Sequence, residues 1–194
     1  AYYHLYDHPD LYHHLLGVIR EQAQEIQRVV LDSPAKLILY GEHFDSKFTP
    51  PNLFRQYMLP YYQTFSERLH ARGKTLACHA DAETSRLLEL IEEAGFDMAE
   101  CFVTAPMVPV TLAQAREEWG SRIIIWGGIP SVMRGDPVTD AQFEAYMLDL
   151  FRTFAPGDAF ILGVADNVMA EGKLARVQRV TEMVAEYGMY PISI

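Results

Sequence analysis

Acids and histidines recur along this chain in short groups: Glu42-His43 with Asp45, His79 with Asp81, Glu100, and Asp166-Asn167. Each group follows a short apolar run that reads as a β-strand. In parallel α/β folds, chemistry collects just past the carboxyl ends of the strands. One imidazole among carboxylates supports three readings that spacing alone does not separate. The first is a divalent metal centre. Imidazole nitrogen and carboxylate oxygen suit zinc, with manganese or iron as alternatives, and His79 and Asp81 would be completed by Glu42, Glu100 or Asp166, leaving a position open for substrate. The second is metal-free acid and base catalysis by His79 with Asp81 or Glu100. In the third, His79 is a satisfied histidine at the mouth of the fold and the acids are solvated loop residues. A single H-x-D spacing fits all three. If a metal is bound, the imidazole must be neutral to ligate, so affinity is expected to weaken below pH ~6.5.

Strand alternation says which groups can converge, because residues two apart share a face. His79 and Asp81 fall with Thr75 and Ala77, whereas Cys78 falls with Leu76 and Ala80. In the next run Met98, Glu100 and Phe102 make one set and Ala99, Cys101 and Val103 the other. Glu100 is therefore expected to face the site and Cys101 to pack under helices, as most free cysteines are buried. Tyr40, Tyr57, Tyr61, Tyr62 and Trp126 could line an apolar pocket or simply fill a core. Gly127-Gly128-Ile129-Pro130-Ser131 could offer backbone N–H groups to an anion at a helix start, or be a bare tight turn. Tyr40, Trp126, Gly127 and Gly128 are the substrate-binding candidates. His4, His8, His13 and His14 straddle a helix start without partners and read as solvated or interface residues.

The elements that must hold these groups alternate helix and strand, the signature of a parallel α/β sheet. A leading helix over 1–35 carries Leu11, Leu15, Val18, Ile19, Ile26, Val29 and Val30 on one face. Strands are expected at Leu37 to Gly41, Thr75 to His79, Asp97 to Phe102, Arg122 to Trp126 and Ala159 to Ala165. A helix opening at Thr49-Pro50-Pro51 should kink near Pro60 and stop at Gly73. Others are expected over Glu83 to Ala94, from a Thr111 cap to Trp119-Gly120, from a Thr139/Gln142 capping box to Phe154, and over Leu174 to Tyr187. The 194 residues make one domain of ordinary globular composition, 49% apolar and 22% charged. With a net charge of −10 and no basic stripe, nucleic acid and anionic membranes are unlikely partners. No apolar run approaches the ~20 residues of a membrane span, and the start does not read as a signal peptide. A cytoplasmic location is the expectation. Its beginning at Ala1 suggests a piece of a longer chain.

Three segments carry a resemblance: SKFTPPNLFRQYMLP from Ser46 to Pro60, then LHARGKTLACHADAETSRLLELIEEAGFDMAE, then WGGIPS. Together they resemble the second half of the uroporphyrinogen decarboxylase and cobalamin-dependent methyltransferase superfamily, over nearly the whole chain from about Pro9. The resemblance implies a (β/α)₈ barrel, here a partial one of about five βα units, with its site at the carboxyl ends of the strands. In the methyltransferase branch the matching strand ends in His-x-Cys, and both side chains bind zinc, which activates a thiol to accept a methyl group from a corrinoid. Here His79 matches and Asp81 stands at the Cys position. The second zinc cysteine of that branch would fall in GVADNV, where Asp166 is the nearest candidate. The decarboxylase branch carries a late histidine in the same stretch, also missing, and its amino-terminal arginines and aspartate would lie upstream. Porphyrinogen decarboxylation is therefore disfavoured. A methyltransferase-like enzyme is expected, with catalytic His79, Asp81 and Glu100, zinc as its metal, a corrinoid protein and a small substrate as partners, and a homodimer as its assembly. The alternative is a non-catalytic barrel fragment that binds a ligand or partner chain.

Overall fold

The computed structural model describes residues 2–167 and 169–194. The apolar runs form one sheet of five parallel strands in sequential order: β1 (Leu37–Tyr40), β2 (Thr75–His79), β3 (Met98–Phe102), β4 (Ile124–Pro130) and β5 (Phe160–Ala165). Parallel neighbours need a crossover between them, usually helical. Before the sheet come α1 (Tyr2–Asp7) and α2 (Pro9–Asp32). Within and after it come α3 (Pro51–Leu53), α4 (Leu59–His70), α5 (Leu88–Glu93), α6 (Leu112–Trp119), α7 (Asp140–Phe154) and α8 (Leu174–Tyr187). This is the arrangement of a partial (β/α)₈ barrel. No helix among the described residues is long and apolar enough to cross a membrane.

One face of the sheet is covered. Leu76, Cys78, Ala99, Phe102, Ile125 and Phe160 join Phe65, Leu69, Trp119, Phe143 and Leu150 in a single buried apolar cluster. On the other face Ala77 and Met98 are buried, but Leu37, Leu39, Trp126 and Ile161 are left open, at 44%, 51%, 36% and 41% exposed. In a closed barrel that face would be the interior.

The resembling motifs prove to be structural ties. Gly73 turns the chain with φ +62°, and the buried Lys74 ammonium donates to the carbonyls of Ser33 and Ala35 at 2.6 Å each, fastening the end of α2 to the start of β2. Gly95 has no room for a side chain, since a Cβ there would lie 2.3 Å from Ser66 Oγ. Two residues on, Asp97 accepts from the Leu76 N–H and from His70 Nε2, locking β3 beside β2.

Two expectations need correction, and a third gains a direction. The helix expected over Glu83 to Ala94 begins only at Leu88, because the Glu83 carboxylate accepts from the Ser85 N–H and a turn closes from Leu87 N–H to Thr84 carbonyl. In place of the kink expected near Pro60 stands a π-turn over Phe54–Met58, just ahead of α4, whose second residue is that proline with no N–H to give an α-helical bond. The helix α2 exists, but its stripe of Leu11, Leu15, Val18, Ile26 and Val29 faces outward, and its buried residues are Gln27 and Leu31.

Candidate functional site

Register builds the site. His79, last residue of β2, pairs with Glu100 of β3, and neighbours in register on one face come within hydrogen-bonding range. His79 Nδ1 lies 2.6 Å from Glu100 Oε2, and His79 Nε2 is 3.3 Å from Asp81 Oδ2. The other Asp81 oxygen is 2.9 Å from Nδ1 of His43, just beyond β1. The result is a continuous line, His43–Asp81–His79–Glu100, along the carboxyl end of the sheet.

Cys101 completes it, against the alternation argument. Between Ala99 and Phe102, β3 advances three residues while β4 advances two, from Ile125 to Gly127. The extra residue is a β-bulge in which Cys101 takes φ +57°. Phe102 is thereby returned to the helix-facing core, fully buried against Trp119. Glu100 and Cys101 are both left on the site side. Cys101 Sγ accepts from the Asp166 N–H at 2.8 Å, and ligand atoms of His79, Glu100 and Cys101 lie within 4.8 Å of one another. Cys78 packs in the core as expected, wholly buried.

The other candidates distribute differently. Glu42 lines a separate cavity with Tyr40, Tyr61 and Tyr62. Asp166 stands beside Cys101 with φ +62°, and its carboxylate bonds the Asn167 amide. Gly127 and Gly128 do not open as a turn; they lie inside β4, paired with Leu162 and Gly163 of β5. They are glycines for another reason: a Cβ on Gly127, at φ +147°, would sit 2.8 Å from the backbone N and O of Phe102 in the bulge. That Trp-Gly-Gly pattern is the one sequence signal of a close backbone approach that could have located the bulge. Trp126 lies on the open face. His13 meets the Tyr57 hydroxyl at 3.1 Å, and His4, His8 and His14 belong to no metal-capable group among the described residues.

The electrostatics favour a protonated His79. Burial by itself would lower the His79 pKa, but the hydrogen bond to Glu100 and the charges of Asp81 and Glu100 outweigh it, so the imidazole is held above its ordinary value. Burial pushes the Cys101 thiol up, the Asp166 N–H opposes this, and the Glu100, Asp81 and Asp166 carboxylates add to the rise.

The uroporphyrinogen decarboxylase (URO-D) family model matches residues 2–187. The chain belongs to this family. Among solved structures it is similar to a methyltransferase from Methanosarcina mazei, with TM-score 0.61 and 16% identity over 79% of this chain and 42% of that chain. The likeness shows a shared fold, of which this chain spans less than half the neighbour's length. No curated protein matches it in sequence.

Nitrogen, oxygen and sulfur donors gathered in one place fit zinc, whose bonds of ~2.0–2.3 Å set tetrahedral ligands a few ångströms apart. His79, Glu100 and Cys101 would hold such an ion.

Proposed function

We propose that the chain is a methyltransferase-like member of its family, acting by metal-assisted methyl transfer to the thiol of a small substrate from a corrinoid carried by a partner protein. The observation that carries this reading is the convergence of His79, Glu100 and Cys101 at the carboxyl end of the sheet. Zinc, when bound, supplies Lewis acidity that keeps a substrate thiol ionised near neutral pH. His79, Glu100 and Cys101 would hold it. Asp81, oriented by His43, sits where it can accept the proton that the thiol gives up. The methyl group then forms its bond to sulfur while its former bonding pair stays with the donor. The fold of the methyltransferase neighbour supports the reading, and the missing late-strand histidine disfavours porphyrinogen decarboxylation.

The test is product formation from methylcobalamin and a small thiol by the zinc-loaded chain. A methyl thioether should accumulate, and His79→Ala should reduce its rate by about 100-fold or more. Equal rates in the variant, or a porphyrinogen decarboxylated above a no-protein control, would overturn the proposal.

A further inference from the structure

Between α2, the end of β1 and the start of α4 lies a cavity of about 460 Å³, within the ~300–1,000 Å³ range of small-molecule sites. Seven of its sixteen lining residues are aromatic, and its charged residues are Arg20 and Glu42. They mark two poles. Glu42 shares the wall with Tyr40 and Tyr62, whose phenol pKa values are raised by burial first and by the Glu42 charge in addition. Arg20 Nη2 donates to the Tyr57 carbonyl at 2.8 Å, at the end where Tyr57 meets Tyr12 and His13. Among the described residues neither charge has an ionic partner. The Glu42 side chain is exposed to water, and the atoms packed around its carboxyl raise the pKa. The Tyr40 and Tyr61 hydroxyls are already bonded to each other at 2.9 Å, so that wall offers a ligand mainly ring surface and one carboxylate.

Aromatic faces next to a carboxylate select a soft, alkylated cation, because ring quadrupoles replace the hydration lost on entry, whereas a primary ammonium would keep unmet hydrogen-bond needs. The guanidinium fork at the other pole matches a carboxylate. We propose that this cavity binds a small zwitterion, its alkylated cation against the tyrosines beside Glu42 and its acid group at Arg20. Glu42 is followed by His43, which bonds Asp81, so the cavity adjoins the His79 cluster. The proposal does not depend on a metal there.

The probe is trimethylglycine, titrated calorimetrically into the full chain in EDTA. Two analogues separate the poles: 3,3-dimethylbutyrate replaces the cationic nitrogen by carbon at constant shape, and tetramethylammonium lacks the acid. Trimethylglycine should bind about tenfold or more tighter than either analogue, and Glu42→Gln should cost it about tenfold while leaving 3,3-dimethylbutyrate unchanged. No binding of trimethylglycine, or equal affinity for it and either analogue, overturns the proposal on the unmodified chain, whatever the fold of the variant. Since EDTA removes any zinc, failure of the metal-assisted reaction leaves this result standing, and the reverse holds.

Discussion

Cys101 adopts a left-handed backbone conformation that costs a non-glycine residue about 1 kcal/mol or more. Returned to ordinary extended geometry, its thiol would turn toward the helices and away from His79. The strain is thus coupled to the only step that brings sulfur into the site. Cys101 is half-buried while Cys78 is fully enclosed, so iodoacetamide should label Cys101 and not Cys78, and zinc should protect it. Cys101→Ser should weaken zinc binding by about tenfold or more, and His79→Ala should abolish it. Protons compete with the metal at both groups. Because His79 and Cys101 are both held above their ordinary values, zinc affinity measured by calorimetry should start to fall well above pH ~6.5 and more steeply than one proton per ion. A decline confined to lower pH would mean that His79 is not a ligand. In the metal-free protein the sign reverses: with the folded pKa of His79 raised, its contribution to stability is full below about pH 6.5 and disappears as pH rises through the folded value.

At the scale of elements, the bulge in β3 and the glycine opposite it form one device. Gly127→Ala places a Cβ against the Phe102 backbone, at a φ that L-residues rarely adopt, and should destabilise the fold by about 1–3 kcal/mol in urea titrations. It should also lower zinc affinity, because relief of the clash moves Cys101. Unchanged stability would show that the bulge is not needed where it stands. The same device marks what was legible in the sequence. The Thr111 cap and the Thr139/Gln142 capping box marked the starts of α6 and α7, and His79, Asp81 and Glu100 fell together because strand ends and faces follow from period two. Cys101 did not, since one inserted residue reverses every later side chain and leaves no mark on composition. The outward stripe of α2 was illegible for a different reason: periodicity identifies an apolar face but not whether anything covers it.

On the whole molecule, apolar surface remains where a closed barrel would have none. Closing a (β/α)₈ barrel takes eight strands and ~250 residues, whereas five strands are described here, with β1 and β5 at the edges of the sheet. Their outer backbone groups are templates for pairing with another chain. The exposed Leu37, Leu39, Trp126 and Ile161 lie on the face between those edges, and α2 adds Leu11, Leu15, Ile26 and Val29. Soluble monomers seldom leave large apolar patches open to water. We therefore expect the isolated chain to form a homodimer through the open sheet face. Each copy carries a net charge of −10, so long-range repulsion opposes apolar burial, and salt should relieve the first without weakening the second. Sedimentation equilibrium at low micromolar concentration should show a dimer fraction that grows between roughly 0.05 and 0.5 M salt, as the screening length falls from ~14 to ~4 Å. Leu39→Asp, which adds charge to the open face, should shift the equilibrium to monomer. Trp119 is already enclosed while Trp126 is partly open, so the fluorescence change on association should come from Trp126. A monomer of 22.1 kDa at every salt concentration would mean that the open face is compatible with water as it stands.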